Sequence, residues 1–138
     1  HIAGLTLGNE GTIRDWLRHA KFNVTQGKNW ESSGSMGPWL VTLDEIGDFE
    51  DLRLQTHVNG ELRQDDTVAS MAFSIEFQIE YLSTFITLEP GDVIYTGTPT
   101  GAGARLEPPQ WLEPGDVVQV SVDGIGTLEN TIEDEGPC

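Results

Sequence analysis

At 138 residues the chain is long enough for one domain with a genuine core, and its 37% apolar content is far above that of a disordered tail. Twenty-three acidic residues against seven basic ones leave a net charge of −16, which repels phosphate backbones and anionic membranes and argues against either as a partner. The same field would repel an anionic substrate unless a cation or local basic groups reverse the sign inside its pocket.

Sixteen glycines and seven prolines predict many turns and a β-rich body. Residues 2–7 read as a buried strand and residues 14–20 as a brief helix, with Ile13, Trp16, Leu17 and Ala20 on one side. Residues 21–37 are polar and glycine-bearing, as in an ordered loop, and strand character returns at 39–42. Gly37-Pro38-Trp39 between them reads as a structural corner with a packed aromatic. Residues 52–58 alternate and are followed by Asn59-Gly60 and a second run from Glu61, the sequence of a hairpin. Ser74 predicts an N-cap for a helix to about residue 85, with Ile75, Ile79, Leu82 and Phe85 or Ile86 inside and Glu76, Glu80 and Ser83 outside. Leu88-Glu89-Pro90-Gly91-Asp92 and Leu112-Glu113-Pro114-Gly115-Asp116 are the same turn spelled twice, each expected to launch a strand. Residues 117–122 alternate, Gly124 and Gly126 turn the chain, and 127–130 pair back; the acidic tail from Glu133 should fray.

Cys138 has no internal disulfide partner, which favours a reducing, cytoplasmic setting. No apolar run approaches the roughly 20 residues of a membrane span, and no signal peptide is visible. The chain opens on His1 and enters an apolar strand almost at once, as expected of a portion of a longer protein; residues 1–138 read as one domain.

Three positions carry candidate chemistry. Glu10 ends one strand: it is a hard-oxygen ligand for Mg²⁺ or Mn²⁺, or else a helix-start carboxylate paired with Arg14. Lys28, one of two lysines, follows Gly27 and can hold a carboxylate, polarise a carbonyl or exchange protons; the alternative is a surface lysine. Gly97-Thr98 follows residues 93–95, where Gly97 admits a close ligand and the hydroxyl can bind an oxygen, or the segment is a plain turn. His1, His19 and His57 lack metal spacing.

In this order, Gly8-Asn9-Glu10 with Ile13-Arg14-Asp15, Gly27-Lys28-Asn29-Trp30, Gly37-Pro38-Trp39, Val58-Asn59-Gly60-Glu61-Leu62-Arg63-Gln64, Thr87-Leu88-Glu89-Pro90-Gly91-Asp92, Thr96-Gly97-Thr98-Pro99 and Gly126-Thr127-Leu128-Glu129-Asn130 resemble the fumarylacetoacetate hydrolase superfamily. The likeness is greatest to its bacterial 2-hydroxyhepta-2,4-diene-1,7-dioate isomerases and 5-oxopent-3-ene-1,2,5-tricarboxylate decarboxylases. It implies an α+β domain, a mixed β-sandwich roll with short helices, assembled as a homodimer and binding Mg²⁺ or Mn²⁺. It also implies isomerase, decarboxylase or C–C hydrolase chemistry on a small oxo-acid. By position, Glu10 would be a metal ligand, Lys28 a catalytic and substrate-binding group, Gly97 and Thr98 substrate-binding, and Arg14 and Asp15 supports behind the metal ligand.

Three departures qualify this. Glu10 stands where the family usually has aspartate. Leu17 stands where some of its hydrolases carry a substrate-binding glutamine, and this favours isomerase or decarboxylase chemistry. The family's Glu-x-Glu pair belongs upstream of the first strand and has no counterpart here, so the chain alone is expected to bind metal poorly and turn over little. A noncatalytic β-rich interaction or assembly module that retains the fold is the competing expectation.

Overall fold

The computed structural model describes residues 1–19 and 24–135. Strands β1 (Gly4–Glu10), β2 (Gly34–Thr42), β3 (Arg53–Val58), β4 (Glu61–Thr67), β5 (Val117–Val122) and β6 (Gly126–Thr131) are joined by short helices α1 (Thr25–Lys28), α2 (Leu43–Ile46) and α3 (Ile75–Ser83). A two-turn 3₁₀ helix lies at Arg14–His19 and single 3₁₀ turns at Phe49–Asp51, Val68–Ser70 and Gly103–Arg105. Two antiparallel sheets result, β1-β2 and β4-β3-β5-β6, which is the expected α+β roll.

The sheets meet through one apolar layer. Alternation on β5 sends Val118, Val120 and Val122 inward, and Leu7 of β1, Val41 of β2, Ile125 of the β5–β6 turn and Leu128 of β6 close on Val120 and Val122. The hairpin forms as its sequence requires: Asn59 and Gly60 both take positive φ, 52° and 80°, the signature of a type I′ turn. Ser74 caps α3, its Oγ accepting from the Phe77 N–H at 3.2 Å.

Four expectations need correction. Within the stretch read as a loop, residues 25–28 make a helical turn and β2 begins at Gly34, because Gly34 and Ser35 pair with Glu10 and Asn9. Gly37-Pro38-Trp39 is no corner but the interior of β2. Between Leu5↔Val41 and Leu7↔Gly37, β2 advances four residues against two on β1, and this bulge leaves Trp39 and Leu40 61% and 58% exposed. On α3, Ile75 is buried and Ile79 and Leu82 partly so, but Phe85 and Ile86 face solvent. The exposed side instead carries a row of rings, Phe73, Phe77, Tyr81 and Phe85, with successive centroids 5.1, 6.3 and 5.7 Å apart. The first of the twin Pro-Gly turns, finally, launches no strand: residues 93–98 join no ladder among the described residues.

Ala20 and Lys21, and Cys138 at the other end, lie outside the described residues. Among those described, no helix is long and apolar enough to cross a membrane.

Candidate functional site

Glu10 is the last residue of β1, and three backbone facts bring Lys28 to it. The Gly11 N–H donates to Ser33 O and the Ile13 N–H to Gly27 O, both at 2.8 Å, so the chain leaving β1 is stitched to the segment that returns to β2. Gly27 is buried beneath Leu17, where a Cβ would fall 2.9 Å from Leu17 Cγ, so any side chain there would have to push Leu17 aside. Around it, Trp30 Nε1 donates to Gln26 O at 2.6 Å and Asn29 Nδ2 to Thr25 O at 2.9 Å, while Trp16 and Trp30 meet edge to face at 4.9 Å. Lys28 Nζ, at the end of α1, consequently donates to Glu10 Oε2. The alternative partner, Arg14, is not the one used.

The two side chains keep 30% and 37% of their surface, so solvent and small ligands reach the pair. An ion pair this open contributes only about 0–1 kcal/mol to stability and separates readily. It places a charge-assisted donor and an oxygen acceptor side by side at the end of a rigid strand.

The segment carrying Thr98 crosses the same region. Gly8 and Glu10 share one face of β1, and the Tyr95 ring lies on that face against Gly8, where a Cβ would fall 3.0 Å from Tyr95 Cζ. Tyr95 OH also points to Ser35 O at 3.4 Å. Beyond Tyr95, Gln78 of α3 donates to Thr96 O at 3.2 Å, and Gln64 of β4 donates to Thr98 Oγ1 at 2.9 Å and Pro99 O at 2.8 Å. The loop therefore hangs from three elements at once. Gly97 has φ +115° with nothing within 4 Å of a notional Cβ, leaving open space beside Thr98.

Glu10 and Lys28 are thus in contact, whereas Thr98 is held by Gln64. Arg14 and Asp15 are exposed on the 3₁₀ turn that follows β1. Three supporting residues carried no assignment from sequence: Gln64, Tyr95 and Asn130. Asn130 Oδ1 accepts from Asn9 Nδ2 at 3.0 Å and from Ser35 Oγ at 2.7 Å, fastening β6 to paired residues of β1 and β2 just behind Glu10. For Gln64 and Asn130, polar position on strands whose neighbours alternate was the available signal, and it is a weak one.

The same order of elements is found in known proteins. The model of the fumarylacetoacetate (FAA) hydrolase C-terminal family matches residues 1–133. The chain belongs to this family. It is 45% identical to the oxaloacetate tautomerase YisK of Bacillus subtilis over 96% of its own length and 44% of that protein. The fumarylacetoacetate hydrolase from psychrophilic Exiguobacterium antarcticum superposes with a TM-score of 0.92 at 38% identity, over 98% of this chain and 48% of that one. A fumarylpyruvate hydrolase from Pseudomonas aeruginosa, solved in complex with Mn²⁺ and pyruvate, gives 0.85 at 29% identity, over 98% of this chain and 56% of that one. The chain thus spans about half the length of these proteins.

The Mn²⁺ in that relative raises the question whether the residues of this FAA hydrolase-family chain fit a cation. Among the described residues no three His, Cys, Asp or Glu side chains converge. Glu10 is a single carboxylate, and one of its oxygens is taken by an ammonium group. A hard divalent cation needs a fuller oxygen set, so the described residues do not fit one by themselves.

Proposed function

We propose that the chain is the C-terminal part of a metal-dependent isomerase or decarboxylase that acts on 2-oxo or 2-hydroxy-dienoate dicarboxylic acids of aromatic catabolism. The Glu10–Lys28 pair carries the reading, and the tautomerase and the pyruvate-bound relative support the oxo-acid class. C–C hydrolysis is disfavoured because Leu17 is packing for Gly27, not a polar substrate contact.

Tautomerisation takes a proton from the carbon beside an oxo group and places one on the oxo oxygen. Lys28 Nζ holds that oxygen as negative charge grows on it and gives it a proton, while the proton leaving the carbon passes to solvent water, which reaches the open pair and returns a proton to Lys28. Glu10 keeps the ammonium group in place at the strand end. Thr98 Oγ donates to a substrate oxygen, and Gly97 leaves room for the substrate beside it. Arg14 and Asp15, on the 3₁₀ segment that follows Glu10, belong to the reading as supports behind it. In a net field of −16, Lys28 supplies the local sign reversal that an anionic substrate requires. Mg²⁺ or Mn²⁺ belongs to the reading through Glu10, a single oxygen donor among the described residues, with the remaining donors supplied from beyond them. Homodimer assembly belongs to it too, supported by the exposed ring row of α3.

The test is oxaloacetate turnover, as tautomerisation and as decarboxylation, by the full-length protein and its Lys28→Met variant. The variant is expected to lose at least about 100-fold in rate, the lower bound for a positioned proton-exchanging group. Its stability should change by less than about 1 kcal/mol, since the pair is open to solvent. A rate within threefold of the wild type, allowing roughly for assay error, overturns the role of Lys28. A wild-type protein that associates but turns over no oxo-acid favours the noncatalytic assembly module.

A further inference from the structure

We propose that Gln64 is a positioning residue for Thr98: it forces the hydroxyl to accept a hydrogen bond from the protein and so leaves its proton for the bound anion. The inference rests on the preceding reading, in which Thr98 faces an oxo-acid. Gln64 Nε2 lies 2.8 Å from Pro99 O and 2.9 Å from Thr98 Oγ1. A carbonyl oxygen can only accept, so the amide atom facing Pro99 must be the nitrogen; the chemistry settles the orientation of the side chain. The NH₂ group has two protons, one for each oxygen, and Thr98 Oγ1 is therefore the acceptor in its own contact.

A hydroxyl holds one proton and two lone pairs. Among the described residues Thr98 accepts from Gln64 and donates to no group. Its proton is available to a ligand, and a ligand with an oxygen lone pair, such as a carboxylate or an enolate, is what it can bind. The loop cannot rotate to exchange these roles. Gly101, at φ +112°, rests on Arg63 O, with a notional Cβ 2.9 Å from Arg63 C and 3.2 Å from Gln64 Cγ. Gln78 holds Thr96 O on the other side. Adjacent residues of β4, Arg63 and Gln64, thus clamp the loop by backbone and side chain together.

Two substitutions separate this role from simple anchoring. Gln64→Met removes both donors; Gln64→Glu removes both and also presents an acceptor that captures the Thr98 proton. An anchor lost is lost equally in both. Enforced polarity predicts that pyruvate binding to the full-length protein weakens about tenfold in Gln64→Met and clearly more in Gln64→Glu. The added charge of Gln64→Glu would itself repel pyruvate, so both are repeated with Thr98→Val: the difference between them should then vanish, where a charge effect would persist. Equal losses, no losses, or a difference that survives in Thr98→Val each overturn the proposal. Backbone-to-methyl couplings of Thr98 give a readout without ligand, with one χ1 rotamer expected in the wild type and averaging in Gln64→Met. If Thr98→Val binds pyruvate normally, or the wild type does not bind it, the oxo-acid reading of Thr98 fails. The couplings then decide the positioning role separately: averaging in the wild type, or one rotamer in both proteins, overturns it.

Discussion

Replacing Gly101 by alanine tests the loop at its tightest point. At φ +112° an L side chain is strained whatever room it has, which costs roughly 1–3 kcal/mol. Here there is no room: the new methyl group falls on Arg63 O, and the obstruction is strand backbone, which cannot swing aside as a side-chain tip would. Overpacking of this kind adds about 1–3 kcal/mol, so the full cost is roughly 2–6 kcal/mol if the loop stays docked. Gly60→Ala is the control, because Gly60 has φ +80° with nothing within 4 Å and should lose only the ~1–2 kcal/mol of left-handed backbone strain. Urea unfolding of both variants measures the difference. The loop can instead lift off β4 and relieve the clash, in which case global stability falls less but Gln64 loses both hydrogen bonds and its side-chain amide protons exchange faster. A Gly101→Ala protein no less stable than Gly60→Ala, with the Gln64 side-chain amide still protected, refutes the clamp.

Two further outcomes follow from the surface. Asp116 receives the Glu113 N–H at 2.8 Å and Asn59 Nδ2 at 2.7 Å, and these bonds, that from Glu113 first, hold its carboxyl below the ordinary range for aspartate. A depressed folded-state pKa contributes stability that is present above the unfolded value and is lost as pH falls through the folded one. Asp116→Asn should therefore be less stable than the wild type at pH 7, with the gap closing in acid below the ordinary carboxylate range; a gap independent of pH, measured by thermal unfolding, contradicts this. Paired charges on the ring row, Phe77→Glu with Tyr81→Glu, should lower self-association in sedimentation experiments, since both rings are about half exposed, at 47% and 59%. Unchanged sedimentation removes that surface from any homodimer interface.

What could be read in advance was whatever a few neighbouring residues decide. Asn59-Gly60 must turn, Ser74 must cap, and the valines of β5 must alternate, because each preference is local. Glu10, Lys28 and Thr98 could be picked out as chemical groups for the same reason. Their connections were another matter. Glu10 had two partners open to it by charge, Arg14 within the next turn and Lys28 far along the chain; the choice is made by Gly27, whose missing side chain lets α1 settle under Leu17. Gln64 gave only a weak signal, since an exposed-looking amide on a hairpin strand becomes a clamp only when residues 96–101 arrive beside it. The bulge that exposes Trp39 depends likewise on register against β1, which no stretch of β2 encodes alone.

The twin Pro-Gly turns separate local from borrowed structure within one chain. Asp92 N–H donates to Glu89 O at 3.1 Å and Asp116 N–H to Glu113 O at 3.0 Å; in each turn the aspartate then accepts from the glutamate N–H at 2.8 Å. Gly91 and Gly115 both take positive φ, 104° and 94°. The local result is the same twice over. After the second turn, residues 117–122 fall between β3 and β6, and Val118 and Val120 are left 4% and 5% exposed. After the first, a β-prone run pairs with no strand among the described residues, and Val93 and Tyr95 remain 55% and 48% exposed. Turn chemistry is a property of five residues, whereas strand formation belongs to the pair. The placement of Thr98 downstream of that first turn accordingly rests on side-chain clamps from Gln64 and Gln78 where a ladder would ordinarily serve, and substitutions at these two glutamines should reach Thr98 more directly than any change in the apolar core.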